Sequence, residues 1–164
     1  MKIKEIFIDG FGRFNQKSFE PLKSPVVIMF GPNEAGKSTL LNFVRTILFG
    51  FPLRNSAHHY PALNGGRHGG NIVVTADDGS EYNVERYIGS KGGEVSITDR
   101  QTGERFPQTL LSQICGHASK DVFNNIFAFT IDELQQTDLL EDKNINSQIY
   151  SVGMGTRDLP DLMK

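Results

Sequence analysis

Gly31-Pro32-Asn33-Glu34-Ala35-Gly36-Lys37-Ser38 decides how this chain is read. The stretch fits G-x-x-x-x-G-K-[ST], a loop that surrounds phosphate groups with main-chain N–H donors. Gly31 and Gly36 allow the tight curl and the close approach that side chains would block. A helix starting near Lys37 directs its free N–H groups and the positive end of its dipole at the same point. Lys37 adds a full charge within reach of the outer phosphates, and Ser38 offers a hydroxyl to Mg²⁺. The pattern arises by chance in roughly 1 in 150 chains of this length, so nucleoside triphosphate binding, with ATP first, is the leading expectation. Gly31, Pro32, Asn33, Glu34, Ala35, Gly36, Lys37, Ser38 and Thr39 are the candidate nucleotide contacts.

The flanks agree with that expectation. Val26-Val27-Ile28-Met29-Phe30 is short, continuous and apolar, which predicts a strand buried on both faces. From Lys37 to Phe49 the spacing is helical, with Leu40, Leu41, Val44, Ile47 and Leu48 on one broad face. Gly50 is placed to end that helix, and Pro52 prevents its continuation. Upstream, Lys2–Ile8 alternates like a strand. Asp9-Gly10-Phe11-Gly12 signals a turn, and residues 13 to 19 can return as the second arm of a hairpin.

Downstream, residues 53 to 70 look irregular, and the glycine-rich run 65 to 70 is expected to be mobile. Asn71–Ala76, Glu81–Ile88 and Glu94–Thr98 then read as three strands joined by short turns, an antiparallel meander. Asp77-Asp78-Gly79-Ser80 is the first of these turns. Beyond Pro107 the pattern becomes helical. Leu110, Leu111 and Ile114 share a face, Ser119 can cap a helix, and Thr130-Ile131-Asp132-Glu133 has capping-box spacing.

The 164 residues amount to one domain. An apolar share of 38%, with 12 Phe, 4 Tyr and no Trp, can build one ordinary core. A net charge of −2 argues against a surface that is all nucleic-acid footprint, although a local basic patch stays open. Cys115 is the sole cysteine, so no internal disulfide can form. The N-terminus lacks the apolar core of a signal peptide, and the longest apolar run, Val26–Phe30, is far short of a membrane span. A cytoplasmic protein without membrane contact is the default expectation.

The P-loop stretch resembles a known family. Phe30 to Leu41, followed by Ile47-Leu48-Phe49-Gly50, is similar to the head domain of SMC-type and SbcC-type ATPases, and most similar to the YhaN-like bacterial family. Ile8-Asp9-Gly10-Phe11-Gly12-Arg13-Phe14 resembles the family's opening hairpin. Asp121-Val122-Phe123 through Phe127-Ala128-Phe129 resembles a later stretch of the same lobe. The resemblance implies an α/β P-loop NTPase, the N-terminal lobe of an ABC-type head, with an antiparallel β meander and a following helical region. Residues 1–52 would hold the hairpin, P-loop strand and helix. Residues 53–106 would form the meander, and 107–164 a helical region leading toward a coiled coil.

The resemblance also implies partners. A C-terminal lobe of the same protein would complete the site, and two heads would sandwich two ATP molecules in a nucleotide-dependent homodimer. DNA, and a metallophosphoesterase nuclease, would be further partners. The lobe alone is then expected to hydrolyse almost nothing. In that family basic residues of the opening hairpin lie near the nucleotide, which makes Arg13 a candidate. A glutamine that touches Mg²⁺ usually ends the first lobe. Here Ile131 takes that place, and Asp132 is the candidate substitute, unless it and Glu133 merely favour a helix start. Lys37 and Asp132 are thus the catalytic candidates, and Ser38 and Asp132 the Mg²⁺ candidates.

Other readings stay open at this level. A small GTP-binding switch is compatible with the P-loop, but N-K-x-D is absent. A small phosphotransferase would need an arginine lid, for which Arg100 and Arg105 are the nearest material. A dimerisation module is a purely structural alternative. Arg54, His58, His59, Arg67 and His68 could meet DNA phosphates or form a solvated loop. His58-His59 and Cys115-Gly116-His117 lack a second pair at metal-ligand spacing.

Overall fold

A computed structural model describes residues 1–128, apart from Glu20, Pro25 and Ala57. The backbone divides into two compact units, Met1–Ile114 and Cys115–Lys164. The Thr130–Glu133 helix start, with Asp132, lies outside the described residues.

The first unit is built on one sheet. Its strands are β1 (Lys2–Phe11), β2 (Phe14–Phe19), β3 (Gly69–Thr75), β4 (Glu81–Tyr87), β5 (Val95–Asp99) and β6 (Arg105–Phe106). They are ordered β2-β1-β3-β4-β5-β6, and every named pair is antiparallel. The hairpin and the meander therefore join through β1 and β3, where Ile6 faces Ile72 and Ile8 faces Gly70. β6 is a two-residue edge strand with no signal of its own in the sequence.

Alternation sets which face is covered. Ile6 and Ile8 of β1, Ile72 and Val74 of β3, Val84 of β4 and Ile97 of β5 are all buried. Helix α1 (Lys37–Phe49) lies against this sheet and contributes Leu40, Phe43, Ile47 and Leu48. Phe43, fully buried, is the centre of the helix face, whereas Leu41 and Val44 are only half-buried. The periodicity centred the stripe one position away, because a helix touching three strands buries more of its circumference than a single stripe. Phe43 meets Phe11 edge-on, with ring centroids 5.4 Å apart.

Arg86 is the exception among the core positions. It points to the covered face of β4 and is almost wholly buried. Its guanidinium donates to the carbonyls of Ile47 (2.9 Å), Gly93 (2.6 Å) and Leu48 (3.4 Å). It thereby satisfies carbonyls of the last turn of α1, which have no helical donors. Gly50 ends the helix as expected, with its N–H on the Thr46 carbonyl at 2.8 Å. A short helix α2 (Thr109–Ile114) closes the unit and buries Leu111 and Ile114.

In the second unit, α3 (Lys120–Val122) runs into a π turn, Phe123–Phe127. Ser119 caps it, its Oγ accepting from the Val122 N–H at 3.2 Å.

Three expectations fail. The turn read at Asp9–Gly12 comes later, because β1 stays paired through Phe11 and only Gly12 and Arg13 turn. Val26–Phe30 is not a strand, and its side chains stand in the open: Val26 is 74% exposed, Ile28 87% and Phe30 97%. A run that is apolar on both faces needs cover on both, and no described strand pairs with it. Nor is the run 65 to 70 loose. Gly69 and Gly70 belong to β3, and Gly66 presses so closely on β1 that a Cβ there would lie 2.2 Å from the Asp9 carbonyl oxygen. These glycines are read better as close-approach positions than as a flexible tether.

Candidate phosphate-binding site

The P-loop sits between the β1–β2 turn and the start of α1. Gly36 is the N-cap of α1 with φ of 102°, in the left-handed region that suits glycine. A Cβ there would also strike the Phe14 ring, 2.6 Å from Cζ. Gly36 offers no side-chain cap, and the first turn of the helix carries no acidic residue. The leading N–H groups of a 13-residue helix are thus left without a side-chain acceptor at the point where Lys37 and Ser38 emerge.

Lys37 and Arg13 both lean on this loop. The Lys37 ammonium donates to the carbonyls of Gly31 (2.7 Å) and Pro32 (2.8 Å). Arg13 donates from its guanidinium to the carbonyl of Glu34. Glu34 itself has φ of 65°, a left-handed conformation uncommon outside glycine. The Ala35 N–H closes the loop on the Pro32 carbonyl at 3.2 Å. Two cations and a helix N-terminus therefore converge on one short curl. Polyanions prefer that arrangement, since charge-assisted bonds to phosphate oxygens outweigh those to neutral carbonyls. The donor set fits a nucleotide's phosphates: Lys37 and the helix N–H groups would hold the anion, and Ser38, at the second position of α1, would offer its hydroxyl to the metal.

The sequence reading placed Gly31 to Thr39 and Arg13 at one site, and the structure brings them together. It missed the residues behind them. Asn42 donates to the Ser38 carbonyl at 2.9 Å and is buried, and Asn64 donates to the Arg13 carbonyl at 2.7 Å. Asn42 was open to discovery as an i+4 neighbour of Ser38. Nothing in the order of residues announces a contact between positions 13 and 64.

The basic residues after α1 do not form one patch. Arg54 and His58 are exposed. The Arg67 guanidinium stacks on the Tyr87 ring, 3.7 Å from its centroid. His59 and His68 turn toward each other, with centroids 5.4 Å apart, and His68 packs edge-on against Phe51 at 4.8 Å. Burial pushes the His68 pKa below its ordinary value, helped by His59 and opposed by a bond to the Tyr60 main chain. Arg100 is engaged by Glu5 at 2.6 Å and Glu81 at 3.7 Å. Asp77-Asp78 forms the hairpin turn, with the Ser80 N–H on Asp78 at 2.9 Å. No group of three or more His, Cys, Asp or Glu able to hold a metal occurs among the described residues. No helix among them is long and apolar enough to cross a membrane.

With this geometry in view, comparison with known proteins gives the family. A family model described as an AAA domain matches residues 1–164. The chain belongs to that family. The uncharacterized protein YhaN of Bacillus subtilis (strain 168) is 31% identical over 137 residues, which cover 83% of this chain. The same alignment covers 14% of YhaN, so the chain spans a small part of that relative's length. The chain is thus an SMC/SbcC-like ATPase domain related to YhaN.

Proposed function

We propose that this chain is the ATP-binding N-terminal lobe of a DNA-associated SMC/SbcC-like ATPase. Its hydrolytic site is completed by a C-terminal lobe of the same protein and by a second head. The observation that carries the reading is the convergence of Lys37, Arg13 and the uncapped N-terminus of α1 on the Gly31–Gly36 curl. When bound, Mg-ATP supplies a phosphoanhydride bond whose hydrolysis can be coupled to movement. The chain's own part is to bind and orient. Lys37 exchanges the carbonyls of Gly31 and Pro32 for phosphate oxygens, Ser38 presents its hydroxyl to the metal, and the helix N–H groups stabilise the negative charge. Asp132 is the proposed second metal contact.

The exposed run Val26–Phe30 supports the need for a second lobe, because it reads as a strand to be covered on both faces. A DNA substrate and a metallophosphoesterase nuclease partner follow from the family resemblance. The phosphotransferase alternative loses ground where Arg100 is tied to Glu5 and Glu81 instead of facing the P-loop.

Titration of the chain with Mg-ATP and Mg-GTP tests the reading. Saturable ATP binding with negligible phosphate release is the expected outcome. Robust turnover by the chain alone would defeat the divided site, and a strong preference for GTP would favour a switch protein.

A further inference from the structure

Arg13 can serve a nucleotide only if its backbone is held still, because it lies on the turn between β1 and β2. That turn has three bonds to a segment about fifty residues away. The Gly12 N–H donates to the Tyr60 carbonyl at 3.2 Å, and the Leu63 N–H donates to the Gly12 carbonyl at 2.9 Å. Asn64 Nδ2 donates to the Arg13 carbonyl at 2.7 Å. The link is returned from the other side, where Asn15 Nδ2 donates to the Asn64 carbonyl at 2.7 Å.

The segment is itself anchored at both ends. The Tyr60 ring stacks on Phe11 with centroids 5.6 Å apart, and its hydroxyl lies 3.5 Å from Asn42 Nδ2. Asn42 in turn holds the Ser38 carbonyl. Past Asn64, the Arg67 N–H donates to Asp9 Oδ1 at 3.1 Å, next to the close approach of Gly66 to β1. The segment 60 to 67 therefore spans from the P-loop helix to β1 and grips the arginine turn midway. A chain fixed at two ends restrains what it holds between them without being rigid itself.

We propose that Asn64 is a positioning residue for nucleotide binding, which fixes the Arg13 main chain so that the Arg13 guanidinium stays against the phosphate loop. The inference rests on the functional reading above, and it adds a residue that touches no nucleotide. Removing the Asn64 amide frees the Arg13 carbonyl, and the turn is then held only through Gly12 on one side and Asn15 on the other, with nothing on the Arg13 carbonyl itself. The Arg13 side chain then samples positions away from Glu34. The cost falls on affinity for the triphosphate, because Lys37, Ser38 and the helix start are untouched.

A double-mutant cycle on the full 164-residue chain tests this, with Asn64→Ala, Arg13→Ala and the pair, each titrated with Mg-ATP. Asn64→Ala is expected to weaken binding about threefold to tenfold, the worth of one neutral hydrogen bond. In the Arg13→Ala background the same change is expected to have almost no effect on affinity, while it lowers the thermal midpoint by the same few degrees in both backgrounds. A loosened loop without this role would weaken binding equally in both backgrounds, and that result overturns the inference. Unchanged affinity in Asn64→Ala overturns it as well, with ATP binding by the parent leaving the functional reading intact. A parent chain that binds no Mg-ATP overturns the functional reading and this inference together.

Discussion

Arg86 Nε donates to the main-chain carbonyl of Ile47 at 2.9 Å and so fastens the middle of the sheet to the last turn of the P-loop helix. The same guanidinium reaches Gly93 at 2.6 Å, in the loop between β4 and β5. Burial lowers its pKa from the ordinary value, yet arginine keeps its proton under such pressure. The bond adds a polar anchor at the far end of α1 to the apolar packing of Phe43 and Ile47 along its length.

Replacing Arg86 by methionine keeps much of the volume and leaves those buried carbonyls without donors. Bonds to a charged donor of this kind contribute about 1.5–3 kcal/mol. Arg86→Met is expected to lower unfolding stability by about 3 kcal/mol, as measured by urea denaturation. Arg86→Lys recovers only part of the loss, because an ammonium cannot match the planar fork.

Lys37 is different, since it is exposed and its bonds to Gly31 and Pro32 are easily replaced by water. Lys37→Ala is expected to leave the denaturation midpoint near that of the parent. Affinity for Mg-ATP should fall at least about tenfold, because charge-assisted bonds to phosphate are lost. Calorimetric titration measures the affinity and urea denaturation the midpoint, and unchanged affinity would remove Lys37 from the site.

His68 makes stability depend on pH. Its pKa in the fold lies below the ordinary value of 6.5, first because of burial and then because of His59. The unfolded chain therefore binds the proton more readily than the folded one. Stability from this group is complete above pH 6.5 and is lost as pH falls through the lower, folded value. Denaturation midpoints should drop as the buffer is taken below pH 6.5, and His68→Gln should flatten that drop while retaining a donor for the Tyr60 main chain.

The sequence carried the local structure well and the long-range structure poorly. The Gly31–Ser38 pattern, the Gly50 helix end and the Ser119 cap are written in neighbouring residues, and the structure has all three. The hairpin and meander strands were legible from alternation, but their union through β1 and β3 was not, because pairing across about sixty residues leaves no local mark. Gly66 shows why glycine misleads. The residue type that permits motion is also the one that permits two backbones to touch, and only the partner, Asp9, tells which applies. The bonds of Arg86 to the end of the helix are equally unmarked, because positions 47 and 86 lie far apart in the chain.

Val26–Phe30 offers the sharpest test of how the domain is completed. A continuous apolar run is costly in water, and burying Ile28 and Phe30 would contribute about 1.5–3 kcal/mol each. In the described residues both side chains stay in solvent, 87% and 97% exposed, so that energy is not spent on this fold. Ile28→Lys with Phe30→Ser should therefore change the chain's unfolding free energy by no more than about 0.5 kcal/mol, the usual range at open surfaces. The same pair should reduce self-association at high concentration, because an open apolar segment invites pairing. If the proposed C-terminal lobe supplies the neighbouring strands, the double substitution should also abolish its binding to this chain, measured by co-purification of the two lobes. A loss of several kcal/mol from the chain alone would mean instead that the run is already buried within it.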